Sequence, residues 1–439
     1  MAINEKHYYM NYLQTIEYLF STTPSFQQVG ADAYKPGLER IREFCHYLGD
    51  PHSNYITIHV AGTNGKGSVS HMLASVLQHA GYRVGLFTSP HLRDFRERMR
   101  VDGKMISERE VIDFVANHKE KMRELGLSFF EMTTAMAFDF FSSNDVEVAV
   151  IETGLGGRLD ATNIITPELC VVTNIGLDHT DLLGDTIEKV AAEKAGIIKA
   201  GVPVVLGEAN EQYNGVFEER AAALGSQLIY AEQQVNVLEH NRERDHQRMV
   251  VDRVRDGHRF ELYMDLAGEY QYHNVITAAA AADYLDCHTN ITISRHAFID
   301  GMANVVATTS LAGRWQQLSD VPYMVCDTGH NTHGIKYIAD ELHRLSAEYE
   351  QQICVIGFAK EKNVDEILPL LPRKAYYIFT QASSPRSMPA GVLASKGVAY
   401  GLEGEVRSTV AAAVTRACEI ATERDMIFIG GSNFVVAEI

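Results

Sequence analysis

Residues 62–68 read Gly-Thr-Asn-Gly-Lys-Gly-Ser, between an apolar β-type run at 56–61 and a helix-period segment at 69–80. Glycines let a backbone turn its N–H groups inward, a helix N-terminus adds a positive dipole, and Lys66 adds a full charge. Those are the parts of a polyphosphate cradle, so the stretch predicts ATP or GTP binding through Asn64, Gly65, Lys66, Gly67 and Ser68. It departs from G-x-x-x-x-G-K-[ST], because Val60 stands where the first glycine belongs and Gly67 follows the lysine. Taken alone, a glycine-rich βα turn with a chance lysine is the plainer alternative.

Further polar islands follow other strand-like runs, at the carboxyl ends where open α/β sheets bind ligands. After 146–151 comes Glu152-Thr153-Gly154-Leu155-Gly156-Gly157-Arg158-Leu159-Asp160-Ala161-Thr162-Asn163. A carboxylate ending a buried strand beside a glycine run suits Mg²⁺ next to phosphate, or a helix cap before a turn. After 169–173 comes Asn174-Ile175-Gly176-Leu177-Asp178-His179-Thr180-Asp181, which could ligate metal or cap the next helix. Thr88-Ser89-Pro90-His91-Leu92 offers hydroxyls that are metal ligands or turn formers. Asp327-Thr328-Gly329-His330-Asn331 follows a strand in the second half in the same manner. Each island is weak alone; their shared placement is the signal.

The elements that must position these islands alternate. Strand-like runs at 55–60, 83–87, 146–151, 169–173 and 202–206 are separated by helix-period segments at 69–80, 108–124, 131–141, 186–198 and 213–224. This predicts a doubly wound, mostly parallel α/β sheet covered on both faces. At 226–266 the period changes to two around Asp256-Gly257, a β-hairpin signal, with the charged block 239–248 as a solvated loop or hairpin tip. An alanine-rich helix at 274–285 returns to the first unit. A smaller Rossmann-like α/β unit follows, with strands at 323–326, 353–357, 375–379 and 426–430 and helices near 332–347 and 408–422. The expected domains are 1–306 and 307–439, with 305–312 as their hinge.

A chain of 439 residues predicts two or three domains. Its net charge, 39 − 57 = −18, argues against nucleic acid or an anionic membrane as partner. An anionic ligand therefore needs a locally basic site or metal ions. The opening residues lack a signal-peptide pattern, and no apolar run approaches the length of a membrane span. Six scattered cysteines without C-x-x-C spacing fit reduced thiols in a cytoplasmic protein.

Nearly from end to end the chain resembles the folylpolyglutamate synthase/dihydrofolate synthase family, within the Mur-ligase superfamily of ATP-dependent amide ligases. The resemblance rests on Tyr34-Lys35-Pro36-Gly37-Leu38-Glu39-Arg40, the loop at 62–68, Thr88 to Leu92, and Phe130-Glu131 with Thr134-Ala135. It continues through the unbroken Gly-Leu-Gly-Gly-Arg-Leu-Asp-Ala-Thr-Asn string at 154–163, Gly176 to Thr180, and Glu193-Lys194-Ala195-Gly196-Ile197. His273-Asn274, Gly313-Arg314-Trp315 and Asp327 to Asn331 complete it. It implies that Gly65 to Ser68 wrap the ATP phosphates, with Asn274, Arg314 and Asp327 as further nucleotide contacts. It implies two Mg²⁺ sites, one at Ser89 and Glu152 and one at His179 and a carbamylated Lys194. Catalytic roles fall to Lys66, Lys194, His179 and His330. Gly37, Thr88, Ser128, Leu159, Asp160 and Ala161 line a pterin site, Asp160 suiting the donor-rich ring edge. Arg386 matches a family position without a stated role.

The implied activity is ATP-dependent addition of L-glutamate to dihydropteroate or to a folate's glutamate tail, by a cytoplasmic monomer. Another Mur-type ligase, or a P-loop NTPase that joins nothing, are the rival readings. Two departures stand out: Asp-Thr-Gly-His-Asn at 327–331 replaces Asp-Gly-Ala-His-Asn, and Glu152-Thr153-Gly154 replaces Glu-Val-Gly.

Overall fold

Eight strands make the first sheet of the computed structural model, which describes residues 10–23, 30, 35–243 and 245–439. Tyr34, at the head of the expected pterin segment, lies outside the described residues. The strands are β1 (Ile56–Ala61), β2 (Val84–Phe87), β3 (Met99–Val101), β4 (Lys104–Met105), β5 (Val148–Glu152), β6 (Leu169–Val172), β7 (Val204–Leu206) and β8 (Leu228–Tyr230). Their order is β4-β3-β2-β5-β1-β6-β7-β8, parallel from β2 to β8, with β3 and β4 antiparallel at one edge. All five expected strands are present.

Their unbroken apolar runs follow from burial on both faces. In β5, Val148 and Val150 join one core with Ile58, Val60 and the helix Lys66–His79. The intervening Ala149 and Ile151 join the other core, with Phe138 and Phe141 of the helix Phe129–Ser143. The β3–β4 edge hairpin was not expected. Its turn is Asp102-Gly103, both at positive φ (+48° and +73°), the geometry that two-residue hairpins prefer.

The expected hairpin subregion is a three-stranded antiparallel sheet of β9 (Val235–Arg242), β10 (Gln247–Arg253) and β11 (His258–Met264), in the order β11-β10-β9. Asp256-Gly257 falls in the β10–β11 turn as read. The block at 239–248 is largely strand, because β9 and β10 run into it from both sides and leave only the tip. The helix Gln271–His288 packs under this sheet and against Lys66–His79.

The second sheet comprises β12 (Gln316–Ser319), β13 (Tyr323–Asp327), β14 (Gln352–Ile356), β15 (Tyr376–Phe379), β16 (Gly404–Val406) and β17 (Met426–Gly430). Its order is β12-β13-β17-β14-β15-β16, parallel except for the β12 edge. Helices Thr332–Leu345, Ala390–Ala399 and Val410–Ile420 cover its faces. Between the two sheets, the helix Val305–Thr309 spans the expected 306/307 division. Val305 and Leu311 belong to the first core, and Trp315 opens the second. Among the described residues, no helix is long and apolar enough to cross a membrane.

Candidate functional site

β1 ends at Ala61, and the chain turns through Gly62 (φ +151°) and Gly65 (φ +81°) into Lys66–His79. A Cβ on Gly62 would stand 1.8 Å from Thr173 Oγ1, and one on Gly65 2.2 Å from Asn274 Oδ1. The helix starts at Lys66, three residues before the expected onset. Lys66, Gly67 and Ser68 therefore form its first turn, where N–H groups have no partner within the helix. The Lys66 ammonium donates to the Gly62 and Thr63 carbonyls at 3.0 and 3.2 Å. Gly67 keeps open a space that a Cβ would enter 3.4 Å from Arg314 Nη2 and 3.9 Å from both Glu152 oxygens. Ser68 is buried and accepts from Gln271.

Glu152 ends β5, buried, with Oε2 accepting the Ser89 N–H at 2.9 Å. Burial pushes its carboxyl upward, and Lys66, Ser89, Arg314 and Arg98 pull the other way. Ser89 and Glu152 are hard oxygen donors beside the phosphate loop, which fits Mg²⁺. Among the described residues no group of His, Cys, Asp or Glu side chains forms a metal cluster, and the expected ligands fall in two pairs on different elements. Lys194, on the helix Ile187–Ala195, is buried and donates to the Gly62 carbonyl at 2.8 Å. Burial, then the nearby Lys66 charge, lowers its ammonium to about 7, so a neutral amine is abundant at neutral pH.

His179 (φ +52°) and His330 face Asp178 from opposite domains, at 3.9 and 3.8 Å. Burial lowers both imidazoles to about 4, which leaves them neutral at neutral pH with a lone pair to give. Asp178 takes the Lys362 ammonium at 2.6 Å and the Asn331 amide at 2.9 Å. Burial pushes its carboxyl up, yet the neighbouring cationic groups, Lys362 the permanent one, hold it well below the usual range. Asn331 caps the helix Thr332–Leu345 and exchanges a pair of amide hydrogen bonds with Asn64, at 3.3 and 3.0 Å. Asn64 also meets His333 at 2.9 Å.

One cavity of about 260 Å³ collects Gly37, Lys66, Ser89, Ser128, Leu159, Asp160, Ala161, His179, Lys194 and His330 from the sequence reading. Phe129, Phe130, Leu155 and Phe434 add apolar surface to its lining. Asn64, Gly65, Gly67, Ser68, Glu152, Asn274, Arg314 and Asp327 do not line it; Asn274, Glu152 and Arg314 crowd the glycine loop at Gly65 and Gly67. Thr88 stands behind the wall, its N–H donating to Arg98 O at 3.0 Å. Asp327 is buried, accepting from Tyr270 at 2.5 Å and from the Trp315 and Gly329 N–H groups at 2.8 and 2.7 Å. Asp160 was expected to offer its carboxylate to a ring edge. It lines the cavity, and its oxygens also take four donors from their own loop: the Gly154, Leu155 and Thr162 N–H groups and the Thr162 hydroxyl. Its first task is to hold that loop in shape. Ser128 likewise caps Phe129–Ser143 in a reciprocal pair with Glu131, and Arg40 ties Glu131 to the Lys35 carbonyl.

Sequence reasoning named Asp178 and Arg40 only within quoted stretches, gave neither a role, and missed Lys362 altogether. Lys362 finds Asp178 across 184 positions and Arg40 finds Glu131 across 91, so no local spacing signals either pair.

Residues 60–282 match the Mur ligase middle domain and residues 313–433 the Mur ligase glutamate ligase domain. Folylpolyglutamate synthase of Lacticaseibacillus casei is 33% identical over 390 residues, covering 87% of this chain and 88% of that protein. A probable bifunctional folylpolyglutamate synthase/dihydropteroate synthase of Haloferax volcanii is 34% identical over 98% of this chain, which spans only 50% of that longer protein. Among solved structures, E. coli FolC in complex with DHPP and ADP superposes with a TM-score of 0.85 at 28% identity, covering 98% and 96% of the two chains. The bifunctional enzyme of Yersinia pestis complexed with AMPPNP and Mn gives 0.81 at 28% identity, covering 98% and 97%.

Proposed function

The chain belongs to the folylpolyglutamate synthase/dihydrofolate synthase family of Mur ligases and is an ATP-dependent ligase; from that premise we propose that it joins L-glutamate to dihydropteroate, to the glutamate tail of a folate, or to both. The carrying observation is one cavity, walled by both domains, that gathers Lys66, Lys194, His179 and His330 together with the apolar side chains of Phe129, Phe130 and Leu155. That lining supports a ring-bearing carboxylic acid laid against the aromatic side chains with its carboxyl at the phosphate loop. Both walls come from a single chain, which supports action as a monomer.

The substrate carboxylate attacks the γ-phosphorus of ATP, giving an acyl phosphate and ADP. The glutamate amine then attacks the acyl carbon, the amide forms, the amine loses a proton and phosphate leaves. The protein's share is positioning and charge. First-turn N–H groups and Lys66 hold the phosphates, Arg314 reaches the same loop from the second domain, and Lys362 fixes the second-domain loop through Asp178. These cations reverse locally the −18 charge of the whole chain. Nucleotide is bound with a divalent metal. Ser89 and Glu152 would hold one Mg²⁺ and His179 with a carbamylated Lys194 a second, neutralising phosphate charge when bound. Carbamylation needs an uncharged amine and CO₂, and the lowered Lys194 supplies the amine. We place the domain division at 311–313, after the last first-core residue.

The test is ADP release with dihydropteroate or tetrahydrofolate, each with and without glutamate. Turnover is expected to require glutamate, to vanish in Lys66→Ala and Glu152→Ala, and to be lost in Lys194→Met together with the ¹³C-carbamate signal raised by labelled bicarbonate. Full-rate ADP release without glutamate would overturn the ligase reading.

A further inference from the structure

The second-domain wall of the cavity carries a cation that the reaction above does not use. Arg386, on the loop after β15, lines the cavity together with Lys66, His330 and Phe434. Its guanidinium is ion-paired with Glu361, on the loop after β14, and stands over the Phe434 ring, 5.6 Å from the centroid. The backbone fastens the two loops to each other. Lys360 N–H donates to Arg386 O at 2.8 Å, Met388 N–H donates to Phe358 O at 2.8 Å, and Ala359 bridges Ser387. The two charges are unequally held, however. The Arg386 side chain is 15% exposed and that of Glu361 40% exposed. Water can take over Glu361 at little cost, since such half-exposed pairs contribute little, while the cation stays in the wall.

The place of this pair relative to the chemistry follows from the chain. Glu361 precedes Lys362, which reaches Asp178 between His179 and His330. Arg386 and Lys362 line one cavity with Asp178, His179 and His330, so the Arg386 seat shares the space of the reacting end without belonging to it. A folate's glutamyl tail has a matching pattern, because its α-carboxylate lies a few bonds from the γ-carboxyl that becomes activated. Dihydropteroate has only the carboxyl that reacts. A guanidinium fork takes a carboxylate in two parallel hydrogen bonds, which a glutamyl α-carboxylate and the Glu361 side chain satisfy equally.

Resting on the ligase reading above, we propose that Arg386 seats the α-carboxylate of a folate's glutamyl tail, and that Glu361 is the protein's own carboxylate, displaced from that seat when the tail enters. The pair then sets the balance between the two acyl substrates. It selects for the tail through Arg386 and tempers that selection through Glu361.

The experiment measures equilibrium binding of dihydropteroate and dihydrofolate, which differ only by the glutamyl tail, to the full chain with ADP present. Arg386→Gln is expected to weaken dihydrofolate roughly ten- to a hundred-fold while dihydropteroate stays within about two-fold. Glu361→Gln is expected to tighten dihydrofolate a few-fold and leave dihydropteroate unchanged. Dihydropteroate binding serves as the folding control for both variants. Equal losses for both ligands would make Arg386 a structural residue, and no change for either would remove it from the site; each overturns the assignment. An effect confined to the KM for L-glutamate would move the seat to the incoming amino acid and also overturn it. A wild-type chain that binds neither ligand would instead sink the folate-ligase reading, and this assignment with it.

Discussion

Gly65→Ala is the perturbation whose cost the structure specifies most closely. Gly65 holds φ at +81° as the cap before Lys66–His79. A left-handed conformation costs an L-residue about 1–2 kcal/mol. The new Cβ would also stand 2.2 Å from Asn274 Oδ1, so Asn274 must move. Asn274 is buried and donates to Gln271 Oε1 at 2.8 Å. Losing that buried bond adds about 1–3 kcal/mol. The sum is about 2–5 kcal/mol, and at roughly 2–4 °C per kcal/mol for a domain of this size the first domain should melt on the order of 10 °C lower. Gly215→Ala is the control: it sits in the helix Asn214–Leu224 with nothing within 4 Å of the added methyl and should stabilise by about 0.5–1 kcal/mol. Thermal unfolding followed by fluorescence reads both, and the KM for ATP should rise only for Gly65→Ala. If Gly65→Ala melts with the wild type, or no lower than Gly215→Ala, the steric argument for the loop is wrong.

Two further outcomes are expected. Asp178 and Lys362 form a mostly buried pair between domains, so Asp178→Asn or Lys362→Met alone should cost about 3–5 kcal/mol, and the double variant should recover part of it; strictly additive losses in a double-mutant cycle would refute the coupling. Burial, with Lys199 assisting, lowers His59 to about 3, below its unfolded value near 6.5, so the unfolded chain takes up the proton first as the pH falls. Its contribution is intact above about 6.5 and is lost toward 3, amounting to about 2 kcal/mol at pH 5. The drop in urea-measured stability between pH 7 and pH 5 should therefore shrink by about that amount in His59→Gln, and an unchanged drop would contradict it.

Chemistry carried by contiguous residues was legible before the fold was. The loop at 62–68 and the islands after β2, β5, β6 and β13 bring Lys66, Ser89, Asp160, His179 and His330 to one cavity, because parallel strands deliver their carboxyl ends to one edge. Short edge strands were not legible. β4 has only two residues and β12, Gln316–Ser319, lacks an apolar run, although Asp102-Gly103 was a turn signal that could have exposed β3 and β4. Partners set by topology were invisible as well, such as Lys362 with Asp178 and Tyr270 with Asp327. The loop-holding contacts of Asp160 were not legible for a different reason. Residue type alone does not say whether a carboxylate is spent on its own loop, and here Thr162, two positions on, supplies two of its four donors.

The exchange of amides between Asn64 and Asn331 has a thermodynamic consequence. Asn64 belongs to the loop that cradles phosphate, and Asn331 caps the first helix of the other domain while also holding Asp178. A nucleotide that shifts Asn64 therefore changes the free energy of seating one domain on the other. Linkage makes the exchange symmetrical, since whatever factor nucleotide applies to domain seating, seating must apply to nucleotide affinity. Weakening the amide pair in Asn331→Ala would thus register as a change in ATP affinity, in a residue with no place in the phosphate loop.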